Sequence, residues 1–360
     1  MLHINELSNI LNQSLKWHKT RANFLAQMIY AIIAVKSVNL YQVALSFSST
    51  VQPSSCYRRI QRFFSSFTFD QCLIIKIIQA LFPLPRKIVL IMDRTNWKFG
   101  KANINLLVIS IACKGIGIPM FWVNLARAGN SKTPERTQAL NKAIHLIGMK
   151  RIQYFLADRE FVGSEWFDWL FDASIRFLIR IKKDTLISRC GYDIPVASLF
   201  KRLKPGKKKI LKQAIKIKSR LLFLSASRNL EGELLIVATP KHTNKAIEIY
   251  KKRWEIETLF GCLKTRGFCM EETKITRPER VEKLVFILAV TFLWSYSIGI
   301  ERSGISPMRI KSGGQAEYSL FRYGYDFIRR IILNISHFKK DLQWILQLFL
   351  LKKTWSFDHA

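Results

Sequence analysis

Tyr250, Arg253, Glu257 and Lys264 are spaced so that a continuous helix would carry all four on one narrow face. At about 100° per residue the last three fall roughly −60°, −20° and −40° from Tyr250, over about 21 Å of axis. A carboxylate between two cations and an aromatic ring makes a poor core face. It can hold a metal ion while lying along a phosphate backbone. The plainer reading of the spacing alone is a solvated face with an i,i+4 pair of Arg253 and Glu257. Glu255 sits about 200° around the helix from Glu257 and is expected to tolerate replacement.

Two further carboxylates decide between these readings. Asp93 and Asp158 each follow a short apolar, strand-like run, residues 87–92 and 153–157. Each alone could be an ordinary turn residue at a strand end. On neighbouring strands, however, they would converge with Glu257 on one divalent-metal site. Two Mg²⁺ ions about 4 Å apart would activate a water or 3′-hydroxyl and stabilise the leaving oxygen of a phosphodiester. An all-oxygen donor set with no nearby histidine suits Mg²⁺ or Mn²⁺ rather than zinc.

The elements that must position these groups follow from patterning. Residues 1–85 read as helices, with an apolar one over 22–35 and a possible helix-turn-helix at 40–47 and 55–64. The second of that pair carries Arg58, Arg59, Gln61 and Arg62, donors for base edges or phosphates. From residue 86 the pattern becomes mixed. Strands are predicted over 87–92, 103–113 and 118–125, and then a helix starting at Thr133-Pro134-Glu135, with the threonine as cap, and ending at Gly148. A strand over 153–157, a helix over 164–173 and a strand over 176–181 complete a βββ-α-β-α-β order, which matches a ribonuclease H-like α/β core. Residues 182–240 interrupt that core. Their centre, 201–220, holds ten basic residues and no acidic one, Lys207, Lys208 and Lys209 among them. Strand-like alternation on either side of Asn229-Leu230-Glu231-Gly232 predicts an ordered basic β arm that could lie over nucleic acid. The predicted domains are therefore a helical DNA-binding region (1–85), a catalytic core (86–300) with its β-rich insertion (182–240), and a helical C-terminal region (301–360) suited to dimerisation.

Composition bounds the partner. Lys and Arg number 58 against 25 Asp and Glu over 360 residues, a net charge of +33. This excess favours a polyanion, and nucleic acid fits better than a membrane surface. With 49% hydrophobic and 12% aromatic residues the charge belongs to a folded chain, not a disordered tail. The six cysteines contain no CxxC pair, so reduced thiols in a cytoplasmic protein are expected. The start of the chain lacks the build of a signal peptide, and the charge-free run 284–300 reads as a buried core helix.

The chain resembles DDE (Asp-Asp-Glu) transposases of bacterial insertion sequences, in the IS-four family typified by the Tn-five and IS-ten enzymes. Leu90-Ile91-Met92-Asp93-Arg94-Thr95 and Leu156-Ala157-Asp158-Arg159-Glu160-Phe161 carry the first two blocks. Tyr250, Arg253, Glu257 and Lys264, with Gly267-Phe268 after them, carry the whole Tyr-Arg-Glu-Lys signature. The resemblance covers about 88–300. It implies Asp93, Asp158 and Glu257 as catalytic, metal-binding residues, Arg253 and Lys264 on DNA phosphates with Tyr250 beside them, a β insertion before the glutamate, and a dimer on terminal inverted repeats. It also implies a flipped base stacked on a tryptophan of the insertion during hairpin formation. No tryptophan lies between Trp169 and Trp254, leaving Tyr192 or Phe200 for that role, with Phe223 expected to be buried. Other readings keep the fold but lack strand transfer (a nuclease or resolvase), or lack catalysis (a DNA-binding derivative). The intact acidic residues oppose the last.

Overall fold

The computed structural model describes residues 2–350 apart from 16, 48–50, 71, 83, 126 and 190. Contacts gather the chain into two compact units: residues 1–85, 96–104 and 260–360 form one, and residues 86–95 and 105–259 the other.

The chain opens with helices α1 (Leu2–Leu15), α2 (Lys19–Val35), α3 (Leu40–Leu45), α4 (Pro53–Ser66) and α5 (Cys72–Leu81). α2 is apolar on nearly every side and correspondingly buried from Ala22 to Ile33. α3 begins at Asn39, whose Oδ1 accepts the backbone N–H of Tyr41 at 3.1 Å and so caps an otherwise unpaired donor. On α4 the apolar residues Cys56, Ile60, Phe63 and Phe64 recur at three- and four-residue spacing and are buried. Arg58, Arg59, Gln61 and Arg62 are left in solvent. The two predicted helices thus exist, the first ending at Leu45 rather than Phe47. The turn that would define a helix-turn-helix includes 48–50 and lies outside the described residues.

The mixed region contains β1 (Ile88–Phe99), β2 (Ala102–Cys113), β3 (Ile116–Asn124), α6 (Thr133–Ile147), β4 (Ile152–Ala157), α7 (Ser164–Asp172) and β5 (Phe177–Ile181). This is the predicted element order. In the sheet the strands lie β3-β2-β1-β4-β5, with β4 parallel to β1 and β5 parallel to β4. The fold is ribonuclease H-like α/β. Two local expectations change. β1 runs on to Phe99, so Asp93 lies inside the strand; what stops there is its pairing with β4, whose last partners are Met92 and Ala157. Thr133 is the first residue of α6 rather than its cap, and the Glu135 carboxylate closes the end by accepting the Lys132 N–H at 2.6 Å.

The insertion holds β6 (Leu186–Arg189), β7 (Tyr192–Pro195), β8 (Lys208–Ile210), β9 (Ile215–Ile217), β10 (Arg220–Arg228) and β11 (Leu234–Thr239). β10 and β11 form the predicted hairpin, Arg228 facing Leu234 across its turn. It is not a free arm, because β11 pairs with β5 and the main sheet continues β5-β11-β10-β8. Ile236, Val237 and Ala238 are all buried, the mark of a strand covered on both faces. β6 and β7 form a separate two-stranded sheet.

Helices α8 (Ala246–Lys251), α9 (Trp254–Leu263), α10 (Pro278–Ile305), α11 (Leu320–Leu333) and α12 (Lys339–Leu350) follow. α10 is long and apolar enough to cross a membrane, yet 89% of its most apolar stretch is buried inside the protein, as expected of a core helix. Two glycines let it meet α11. A Cβ on Gly299 would stand 1.9 Å from the Leu320 carbonyl oxygen, and one on Gly324 2.0 Å from that of Ser295.

Candidate active site

The parallel pairing of β1 with β4 sets the first two carboxylates side by side. Residues 88–92 and 155–157 are buried apolar strand, and Asp93 and Asp158 are the residues that follow the last matched pair. Burial pushes the Asp93 carboxyl up to about 7; Arg253 and the Arg94 N–H pull the other way, while Glu160 and Asp158 add to the rise. Asp93 Oδ1 accepts from the Arg94 N–H at 2.8 Å and Oδ2 from Arg253 Nη1 at 3.1 Å. Asp158 Oδ1 accepts from the Tyr250 hydroxyl at 3.5 Å and lies 3.8 Å from Arg180 Nη1.

The third carboxylate arrives differently from the sequence expectation. The residues from Tyr250 to Lys264 are not one helix: α8 ends at Lys251 and α9 begins at Trp254. Between them the chain tightens into i,i+3 hydrogen bonds, Lys252 N–H to the Ile249 carbonyl and Arg253 N–H to that of Tyr250. Such a turn advances about 120° per residue instead of 100°, so the common face is lost at the junction. Arg253 and Glu257 keep their i,i+4 relation, with Arg253 Nη2 2.5 Å from Glu257 Oε1. Tyr250 is buried and the Arg253 side chain is only 4% exposed, whereas the Glu257 side chain is 51% exposed. The expected surface face is therefore half interior. Lys264 follows the end of α9, 2.8 Å from Glu271 and above the Trp97 ring at 5.8 Å.

Sequence reasoning missed the clamp beside the aspartates. Arg94 Nε and Nη2 grip both oxygens of Glu160 at 2.6 and 2.8 Å, and Nη1 reaches Asn105 Oδ1 and the Gly129 carbonyl at 2.8 and 2.7 Å. One guanidinium thus ties the segments that follow both aspartates to the loop after β3. The available signal was the adjacency of Arg94 to Asp93 and of Glu160 to Asp158. A cleft of about 860 Å³, set next to Asp158 by Arg159 and Arg180, is lined by these two with Lys183, Lys201 and Arg228, and by Glu231 and Glu233. A second, of about 470 Å³, shares Arg180, Arg228 and Glu233 and adds Lys207, Lys208 and the 41%-exposed Trp254.

The lysines singled out by charge are exposed, but two have internal partners. Lys208 is ion-paired with Glu248, and Lys209 donates to the Leu199 carbonyl at 3.1 Å. Of the insertion's aromatics, Tyr192 is 76% exposed. Phe200, expected to be free, is fully buried at the end of a 3-10 turn, and Phe223, expected to be buried, is half-exposed against His242. Leu222 and Leu224 take the inward positions of β10, so the period of two sends Phe223 to the opposite face.

Residues 84–294 match the family model described as a transposase DDE domain. The chain belongs to the DDE transposase family. Among curated proteins none matches. Among solved structures the chain is similar to the piggyBac transposase synaptic complex with hairpin DNA, at 11% identity and TM-score 0.44, over 99% of this chain and 84% of that one. It is also similar to a Ciona intestinalis endonuclease V variant in complex with an inosine-containing 23mer DNA, at 15% identity and TM-score 0.29, over 66% of this chain and 97% of that one. At these scores neither likeness bears on what the chain does.

DDE transposases generally use divalent metal ions. Asp93 and Asp158 of this DDE transposase suit such an ion: both are hard oxygen donors, and the burial that raises the Asp93 carboxyl disfavours a bare anion that a cation would compensate. Glu257 does not complete a cluster with them. Among the described residues no three acidic, histidine or cysteine groups come together closely enough to hold a metal, and the Arg253 guanidinium stands between Asp93 and Glu257.

Proposed function

We propose that this DDE transposase binds the ends of an insertion sequence and performs metal-dependent DNA cleavage and strand transfer. In this reading it is a Tn-five/IS-ten-like member of the IS-four family, with Tyr250, Arg253, Glu257 and Lys264 as its signature. The observation that carries the reading is the side-by-side placement of Asp93 and Asp158, with Glu257 linked to Asp93 through one guanidinium. Asp93 and Asp158 are the residues that would hold Mg²⁺ or Mn²⁺, with Glu257 joining them once the Arg253 guanidinium no longer stands between it and Asp93. Such an ion supplies Lewis acidity to the phosphodiester and lowers the pKa of its attacking water or hydroxyl. Arg94 keeps the two aspartates in register by fixing the segments that follow them. Arg159, Lys183 and Lys201 offer donors to phosphates beside Asp158. Arg58, Arg59, Gln61 and Arg62 on α4 are the candidates for reading the terminal repeats from the helical region 1–85, and Lys207–Lys209 with Lys264 add phosphate contacts. The working form is a homodimer on DNA in the bacterial nucleoid. Tyr192 remains the insertion aromatic free to stack an unpaired base.

Replacing Glu257 with Gln tests the assignment. Mn²⁺-dependent cleavage of end DNA is expected to fall by about a hundredfold or more, on the order of losing one preorganised electrostatic group, while duplex binding holds. Cleavage at the parental rate on denaturing gels would remove Glu257 from the site.

A further inference from the structure

We propose that Arg253 is the internal counter-ion of the acidic site and couples it to DNA. It holds Asp93 and Glu257 while no DNA is bound, and it passes to a DNA phosphate when substrate docks, leaving both carboxylates to the divalent ion. The inference rests on the reading of Asp93, Asp158 and Glu257 as metal ligands.

A guanidinium that is 4% exposed needs counter-charges, and Arg253 finds them on two elements at once. Nη1 lies 3.1 Å from Asp93 Oδ2 on β1, and Nη2 lies 2.5 Å from Glu257 Oε1 on α9. Those two carboxylates are among the groups that would hold a divalent ion. The guanidinium and the ion carry like charge in a poorly solvated place, so they compete for the two groups. Asp158 stands outside this lock, facing Tyr250 and Arg180 instead.

Arg253 is also incompletely satisfied. Its Nε is buried with no hydrogen-bond partner, so a donor stays open to an incoming acceptor. Its guanidinium lies 5.4 Å from the ring of Trp254, and Trp254 is half-exposed on a cleft with Arg180, Lys207, Lys208 and Arg228. A phosphate drawn into that cleft offers Arg253 a bidentate partner in exchange for its carboxylates. Because coupling between two ligands is reciprocal, whatever DNA does to metal affinity the metal does to DNA affinity.

The test is Mn²⁺ binding to the full chain, read by electron paramagnetic resonance of unbound Mn²⁺, with and without a short duplex at fixed ionic strength. Mn²⁺ bound by the duplex itself is subtracted using the doubly substituted Asp93→Asn, Asp158→Asn protein. Wild-type protein is expected to bind Mn²⁺ at least tenfold more tightly with the duplex. Arg253→Gln should bind Mn²⁺ as tightly without DNA as wild type does with it, and gain less than twofold more when duplex is added. The coupling is overturned if Arg253→Gln binds Mn²⁺ no better than wild type without DNA, or keeps the full DNA-dependent gain. Should Arg253→Gln fail to fold by circular dichroism, Arg253→Lys, which keeps the charge but not the fork, is read by the same criterion, with the DNA-dependent gain at least halved. Absence of Mn²⁺ binding by wild type even with duplex would overturn the metal-site reading together with the coupling. Binding that ignores residue 253 would overturn the coupling alone.

Discussion

Glu255 and Glu257 stand two residues apart on α9 and serve different ends. Glu257 projects to solvent and pairs with Arg253, whereas Glu255 is part-buried and accepts backbone hydrogen bonds from Cys113 and Gly115 in the β2–β3 turn. Burial raises the Glu255 carboxyl despite those two donors. The tolerance expected for position 255 is therefore withdrawn, because removing its carboxylate takes an acceptor from the buried Cys113 N–H. Glu255→Ala should destabilise the protein by about 1–3 kcal/mol in urea melts, while Glu257→Ala should cost less, because the buried Arg253 guanidinium keeps Asp93 as a counter-charge. Equal midpoints for the two variants would contradict this division. A helix drawn as an isolated cylinder treats both as surface acids; the neighbouring turn tells them apart.

At the scale of elements, α10 and α11 depend on backbone closeness more than on side-chain bulk. Gly299 faces the Leu320 carbonyl and Gly324 faces that of Ser295, each too near for a methyl group. Phe292 and Phe321 then stack across the same crossing at 5.3 Å. Gly299→Ala or Gly324→Ala should each lower stability by about 1–3 kcal/mol, the usual cost of overpacking a filled interior. Calorimetry should show a lower Tm for both, and an unchanged Tm would mean the helices part easily. The sheet makes the complementary point. Consecutive buried residues on β11 draw the insertion's hairpin into the main sheet, so the basic residues of 201–220 flank β10 rather than forming a detached arm.

For the whole molecule, the proposed DNA binding is expected to be steeply salt-dependent, given a net charge of +33. Each phosphate contact contributes roughly 0.9 to the slope of log K against log salt. Replacing Lys183 and Lys201 with alanine should flatten that slope by about two, since both line the cleft beside Asp158. The same change at Lys208 and Lys209 should flatten it less, because Glu248 and the Leu199 carbonyl already engage them. Fluorescence anisotropy across a salt series reads both. A larger loss from Lys208 and Lys209 would restore the weight that composition alone placed on them.

Local information carried most of the fold. Apolar runs set the strands, Pro, Gly and Asn set their limits, and the order of elements admitted few topologies, so Asp93 and Asp158 could be placed on adjacent strands from sequence. The net charge that favours a polyanionic partner was equally legible, since it needs no coordinates. What the sequence left open depends on contacts between residues far apart in the chain. The break at Lys252 and Arg253 interrupts a pattern that reads as helix throughout, and it buries Tyr250 and Arg253. Whether Phe200 or Phe223 is free is decided by which face of the insertion packs inward. The Arg94 clamp and the Arg253 bridge join side chains 66 and 160 positions apart. No periodicity reports such pairs, because they exist only once the sheet has brought its strands together.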